Sequence, residues 1–260
     1  MPAFGAKEVQ ELRKSTGAGM MDAKRALTEA DGDFEAATQI LREKGLAKAA
    51  TRSDRENDEG VVAVANGDGG AALVYLKSET DFAAKSDDFA KLATTLAELV
   101  LAEGPDAVSQ ADAQLEELKL AVKENIEVGA AVRYEADADS IVDTYLHGEG
   151  RAGVLIEATG VERDVLHEIA LHIVFAKPRY LSRADVPEAD VEKERAALTE
   201  ITKAEGKPEQ ALPKIVEGRL NAWYGDLVLL EQGVLGEKET VADKIGGGSI
   251  RRFHLSILGG

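Results

Sequence analysis

The chain contains no cysteine. That excludes disulfides, thiol nucleophiles, iron–sulfur clusters and thiolate zinc sites together, and it fits a reducing, cytoplasmic compartment. Cationic charge is also scarce. The 31 Lys and Arg against 48 Asp and Glu leave a formal net charge of −17, the wrong sign for affinity built on neutralising phosphates, so no direct nucleic-acid ligand is expected. No apolar run approaches the ~18 residues of a membrane-spanning helix, and no membrane association is expected. The opening Met1-Pro2-Ala3-Phe4-Gly5 runs into a polar amphipathic pattern and predicts no signal peptide.

Groups for chemistry are few. Histidine occurs only at positions 147, 167, 172 and 254. His167 and His172 flank a glutamate as in a zinc-protease helix, but at i,i+5, which at about 100° per residue sets the rings roughly 140° apart. They are expected to be ordinary, partly buried helix histidines. Gly17-Ala18-Gly19-Met20 lacks the Gly-Lys-Ser/Thr ending and the preceding strand of a phosphate loop, so it is a turn. Gly246-Gly247-Gly248-Ser249 lacks the spacing of a nucleophile elbow. No catalytic residue, metal site or cofactor is expected, and the chain is not expected to be an enzyme.

What is present is periodicity. At 260 residues and 44% hydrophobic content the chain can bury a sizeable core, as one large or two to three small domains. Val9 and Leu12, then Met20, Ala23 and Leu27, then Phe34, Ala37 and Leu41 predict three short helices over 6–45, broken at Gly17-Ala18-Gly19 and Asp31-Gly32-Asp33 and closed by Gly45 as a C-cap. Residues 46–59 carry no apolar face and read as a linker. A hairpin followed by a helix then occurs twice. Val61–Ala65 and Ala71–Lys77 precede a helix from about Asp87 to Leu101, and Ile141–Leu146 and Gly153–Ala158 precede one from about Arg163 to Ala176. Val128–Glu135 is expected to extend the second sheet, and Ile250–Ile257 to return as an edge strand. Where the second copy has Gly160-Val161-Glu162, the first inserts a longer loop, 79–86, holding one large aromatic, Phe82. Loops on rigid scaffolds are where function tends to sit. Val191, Leu198 and Ile201, and Leu212, Val216, Leu220, Trp223 and Leu227, form two stripes about Gly206-Lys207-Pro208 and predict an antiparallel helical hairpin, which packs on the body or pairs with itself or a partner.

The segments Leu12–Leu27 with Thr16-Gly17-Ala18-Gly19-Met20-Met21-Asp22, Glu79–Lys85 with Thr80-Asp81-Phe82, and Ile169–Ile173 with Lys177-Pro178 resemble elongation factor Ts, in that order and over essentially the whole chain. The resemblance implies an α+β chain with a ubiquitin-associated-like three-helix bundle, two related α+β subdomains with small antiparallel sheets, and an inserted coiled-coil hairpin. Its divisions would be 1–45, a linker at 46–59, subdomains at 60–139 and 140–189, the hairpin at 190–231 and a return to the core at 232–260. It also implies a guanine-nucleotide exchange factor that binds elongation factor Tu, both GDP-bound and nucleotide-free, and dislodges its Mg2+. Thr80, Asp81, Phe82 and Ala83 would form the dislocating loop, with Phe82 as the wedge. Met20, Met21, Lys24, Ile126, His147, Val234 and Leu235 would be further contacts; the helical spacing of Met20 and Met21 on its own sets one of them facing into the core and one out. The chain departs from the family pattern at Ala83, where valine is usual, and in its closing strand. A ubiquitin-binding adaptor would need only residues 6–45 and leave the duplicated core unexplained; self-association through the hairpin stays open.

Overall fold

The computed structural model describes residues 4–259. Three helices open the chain, α1 (Ala6–Thr16), α2 (Met20–Glu29) and α3 (Phe34–Ala50), packed around Leu12, Ala23, Leu27 and Ala37. Gly17, left-handed at φ 64°, ends α1, and the Asp33 carboxylate caps α3 by accepting from Ala36 N–H. Three expectations fail here. Met20 and Phe34 lie outside the core at 47% and 39% exposure. Gly45 does not stop α3, because its missing Cβ serves a packing contact: a methyl there would stand 2.4 Å from Leu120. Residues 46–50, read as linker, continue the helix.

The body is two three-stranded antiparallel sheets stacked face to face, each with a helix on its outer side. The first holds β1 (Glu59–Gly67), β2 (Gly70–Ser78) and β3 (Glu127–Glu135); the second holds β4 (Ser140–His147), β5 (Ala152–Thr159) and β6 (Ser249–Ile257). β3 therefore pairs with β2, not with the second sheet, whereas β6 forms the expected edge beside β5. A four-residue turn, α4 (Asp81–Ala84), and then α5 (Asp87–Glu103) follow β2. A helix not foreseen, α6 (Asp112–Val122), precedes β3 and supports α3.

Along β2, Ala72, Val74 and Leu76 face Phe89, Leu92 and Leu96 of α5, while Leu73 and Tyr75 face the second sheet. Along β5, Val154 and Ile156 face Leu166, Ile169 and Ile173 of α7 (Arg163–Ala176), and Leu155 points back at the first sheet. The sheets approach closely where Gly153 lacks a side chain, since a Cβ there would lie 2.5 Å from Val62. A part-buried polar tie reinforces the joint. Glu157 of β5 accepts from Arg252 Nε at 2.7 Å, and the Arg252 guanidinium lies 4.1 Å over the Tyr134 ring of β3.

The helical hairpin is α8 (Glu188–Ala204) and α9 (Leu212–Leu227), which pack chiefly on each other. Its base is anchored by Val186, Leu220, Tyr224 and Val228, whereas Ile201, expected on the inner stripe, is 51% exposed. A short helix, α10 (Val241–Ile245), leads into β6. Among the described residues, no helix is long and apolar enough to cross a membrane.

Candidate functional site

Phe82 is 83% exposed, the most exposed large apolar side chain among the described residues. Leaving a phenyl ring in water is unfavourable, so what holds it there matters. The segment 79–86 is a capped turn of helix rather than an open loop. Thr80 adopts extended φ/ψ and its Oγ1 accepts from Ala83 N–H at 3.3 Å, capping α4. The Ser86 hydroxyl donates to the Ala83 carbonyl at 2.8 Å and accepts from Phe89 N–H at 3.4 Å, joining α4 to α5.

Beneath the turn lies a polar pedestal. Thr80 N–H donates to Glu124 Oε2 at 3.0 Å and its hydroxyl donates to Glu124 Oε1 at 2.6 Å. Glu79 Oε1 accepts from Asn125 N–H at 2.6 Å and its carboxylate pairs with Arg55, while the Asn125 amide donates to the Ser53 and Arg55 carbonyls. Asp81 is bonded to Lys85 at 2.6 Å, and that bond, first among the causes, holds its carboxyl below the usual carboxylate range. Ala83 is buried, 4% exposed, and fixes α4 to the body, so it is not part of the outward surface assigned to it.

The neighbouring segment ties in the N-terminal helices. Lys123, left-handed at φ 64° and ending α6, donates from Nζ to the Gly17 carbonyl at 3.4 Å. Residues 123–125 thus touch both the turn before Met20 and the base of Phe82. Met20 and Met21 are both exposed, at 47% and 65%, correcting the expectation that one faces in; Lys24 is exposed beside them.

The remaining assigned contacts divide. Ile126 is fully buried under α5, and Val234 is buried against α7, so neither offers a surface. Ile126 stands just ahead of β3 and packs into the first core beside α5, and the packing of 229–236 turns Val234 inward. Leu235, by contrast, is 45% exposed. His147 is exposed, its Nδ1 3.0 Å from the Tyr145 hydroxyl; the Tyr145 ring lies edge-on to His167, which pairs with Asp143 at 2.7 Å. Phe175, 66% exposed, was not foreseen. It lies about 200° around α7 from Ile173, off the stripe of Leu166, Ile169 and Ile173, and that offset was a readable signal. Among the described residues, no cluster of His, Asp and Glu could hold a metal ion.

The family model described as Elongation factor TS matches residues 79–251, from the Phe82 turn to the final strand. The chain belongs to the elongation factor Ts family. Among curated relatives it is 41% identical to Elongation factor Ts of Clavibacter sepedonicus, with 94% of each chain covered. It is 41% identical to Elongation factor Ts of Cutibacterium acnes, over 96% of this chain and 97% of that one, and 43% identical to that of Mycolicibacterium paratuberculosis, over 93% and 92%. Membership in the elongation factor Ts family makes it a translation factor, with a role in protein biosynthesis.

In this elongation factor Ts chain two histidines are held neutral by the fold. Burial, the leading cause in each case, pushes His172 and His254 below the ordinary value of 6.5. The unfolded chain therefore takes up protons before the folded one. The associated stability is whole above pH 6.5 and declines as the pH falls toward the depressed folded values. Thermal melts between neutral pH and pH 5 are expected to show this decline, and His172→Asn is expected to make it shallower; an equal slope in the variant would exclude His172 as a source.

Proposed function

We propose that the chain is a guanine-nucleotide exchange factor for the GTPase elongation factor Tu. It binds the GDP form, presses Phe82 against the region that holds Mg2+ and the phosphates, and lets GDP leave so that GTP can enter. It works in the cytoplasm and carries out no covalent chemistry of its own. The observation that carries this reading is Phe82, 83% exposed on a turn capped at both ends and bonded to Glu124. A ring held rigidly in water gains on burial in a partner without first having to be ordered.

Exchange requires only that the factor bind the nucleotide-free GTPase more tightly than the GDP-bound form; by reciprocity GDP then weakens by the same ratio. Each tenfold weakening takes about 1.4 kcal/mol of differential binding. The testing measurement is release of a fluorescent GDP from elongation factor Tu with and without the full chain. Acceleration that saturates with chain concentration is expected, and unchanged release at high excess would remove the reading.

The hairpin is expected to be dispensable for this activity. Arg195 and Glu217 face each other across it at 3.0 Å and Leu198 packs on the base with Val186, Leu220 and Tyr224, so residues 199–215 beyond them can be replaced by a short flexible linker that leaves the base in place. The shortened chain should stay folded and release GDP at a rate within about twofold of the full chain, as removal of a distant, self-contained element should. Near-complete loss of release from the folded variant would put the hairpin in the active interface.

A further inference from the structure

His172 was expected to be an ordinary helix histidine, yet both of its ring nitrogens are committed. It lies on α7 at 1% exposure. The Gln232 amide nitrogen donates to the Asp226 carbonyl at 3.0 Å, which leaves Gln232 Oε1 as the acceptor facing His172 Nε2 at 3.1 Å. The proton therefore sits on Nε2, and Nδ1 presents a lone pair. That lone pair accepts the backbone N–H of Leu235 at 3.0 Å. Leu235 is left-handed at φ 51° and ψ 28°, a conformation that disfavours a bulky residue and persists only where its surroundings enforce it. Gly233 tightens the same turn, its missing Cβ standing 2.0 Å from the Glu237 carbonyl. The enforced turn leaves the Leu235 side chain 45% exposed, and Phe175, three residues along α7, is 66% exposed with its ring 6.5 Å from the His172 ring.

We propose that His172 is a positioning residue for partner binding, its Nδ1 locking the left-handed turn that keeps the Leu235 side chain turned to water. This rests on the exchange-factor reading, with elongation factor Tu as the partner that Leu235 meets. The buried ring touches no partner itself; it fixes the direction in which Leu235 points.

Two substitutions separate positioning from bulk. His172→Leu fills the space but offers no acceptor. His172→Asn places Oδ1 near the position of Nδ1 and restores one. In the full chain without partner, the Leu235 amide is expected to exchange its hydrogen at least about tenfold faster in His172→Leu than in wild type, with protection largely returned in His172→Asn. In GDP-release titrations, His172→Leu should raise the half-saturating concentration about threefold or more while the maximal rate changes by less than about twofold, and His172→Asn should recover the wild-type value. Should His172→Leu fail to fold, His172→Ala takes its place in both measurements. Unchanged Leu235 protection in the variant without an acceptor, or equal losses in both variants, would overturn the proposal. Failure of wild type to release GDP would sink the exchange reading alone, since Leu235 protection is measured without partner and still decides whether His172 holds the turn.

Discussion

Phe82→Ala is expected to slow GDP release from elongation factor Tu by about tenfold or more while leaving the melting temperature almost unmoved. Burying a phenylalanine is worth about 1.5–3 kcal/mol, and each 1.4 kcal/mol is one factor of ten, so the ring carries between one and two such factors if it is buried in the partner. Its contribution to this chain's own core is small, because it is 83% exposed. A core phenylalanine cut to alanine costs about 3–5 kcal/mol, whereas surface substitutions usually stay within about 0.5 kcal/mol. Melting temperature and release rate should be measured on one sample. A large fall in melting temperature with normal release per folded molecule would show that Phe82 is structural. Asp81→Ala should have a smaller effect, since Asp81 already spends its charge on Lys85.

Glu124→Ala is the second large expectation. Both bonds from Thr80 end on this carboxylate. Bonds to a charged group contribute about 1.5–3 kcal/mol each, toward the low end here because Glu124 is only partly buried. Losing them should lower the melting temperature by several degrees, at about 2–4 °C per kcal/mol for a chain of this size. It should also let α4 drift, and a misplaced wedge should slow release about fivefold, close to 1 kcal/mol. Glu124→Gln, which keeps an acceptor, should lose less. The decisive comparison is the double variant. If Glu124 acts by holding Phe82, Glu124→Ala should add little to the loss caused by Phe82→Ala; losses that multiply would mean the two act separately.

Much of this was legible in the chain itself, and the exceptions have identifiable causes. The helices over residues 6–29 and α7 could be read because their apolar stripes coincide with turn residues. Gly45 misled because a helix-interior glycine chosen for the approach of Leu120 looks, in one dimension, like a cap. β3 was recognisable as a strand but not as a neighbour of β2, since alternation reports which face is buried and says nothing of pairing. Residues 71–76 of β2 and 152–156 of β5 read as unbroken apolar runs because both faces of these strands are covered, one by a helix and one by the other sheet. At the candidate site, Phe82 stood out as an aromatic in an inserted segment. The pedestal did not, because Glu124 lies 44 residues from Thr80 and in an acidic chain one more glutamate carries no signal. Ile126 and Val234 were assigned by segment, and only the fold could reveal which way each points.

The stacking of the two sheets has a consequence for how a partner is sensed. Val62, Leu73, Tyr75 and Tyr134 of one sheet share a buried layer with Leu155 of the other, and the Glu157–Arg252–Tyr134 contact spans the same joint. The two halves therefore behave as one rigid block, and the separation between Phe82 on the first and Leu235 on the second is a fixed gauge. Once one of these points has seated, the other is presented at a high local concentration, but only to a partner whose receiving surfaces stand at the matching distance. A GTPase whose parts shift with its nucleotide would change that distance. The block would then discriminate by length, seating both points on one form and only one on the other, so that loosening the Gly153 joint with a larger residue should blur the distinction between forms more than it weakens either contact alone.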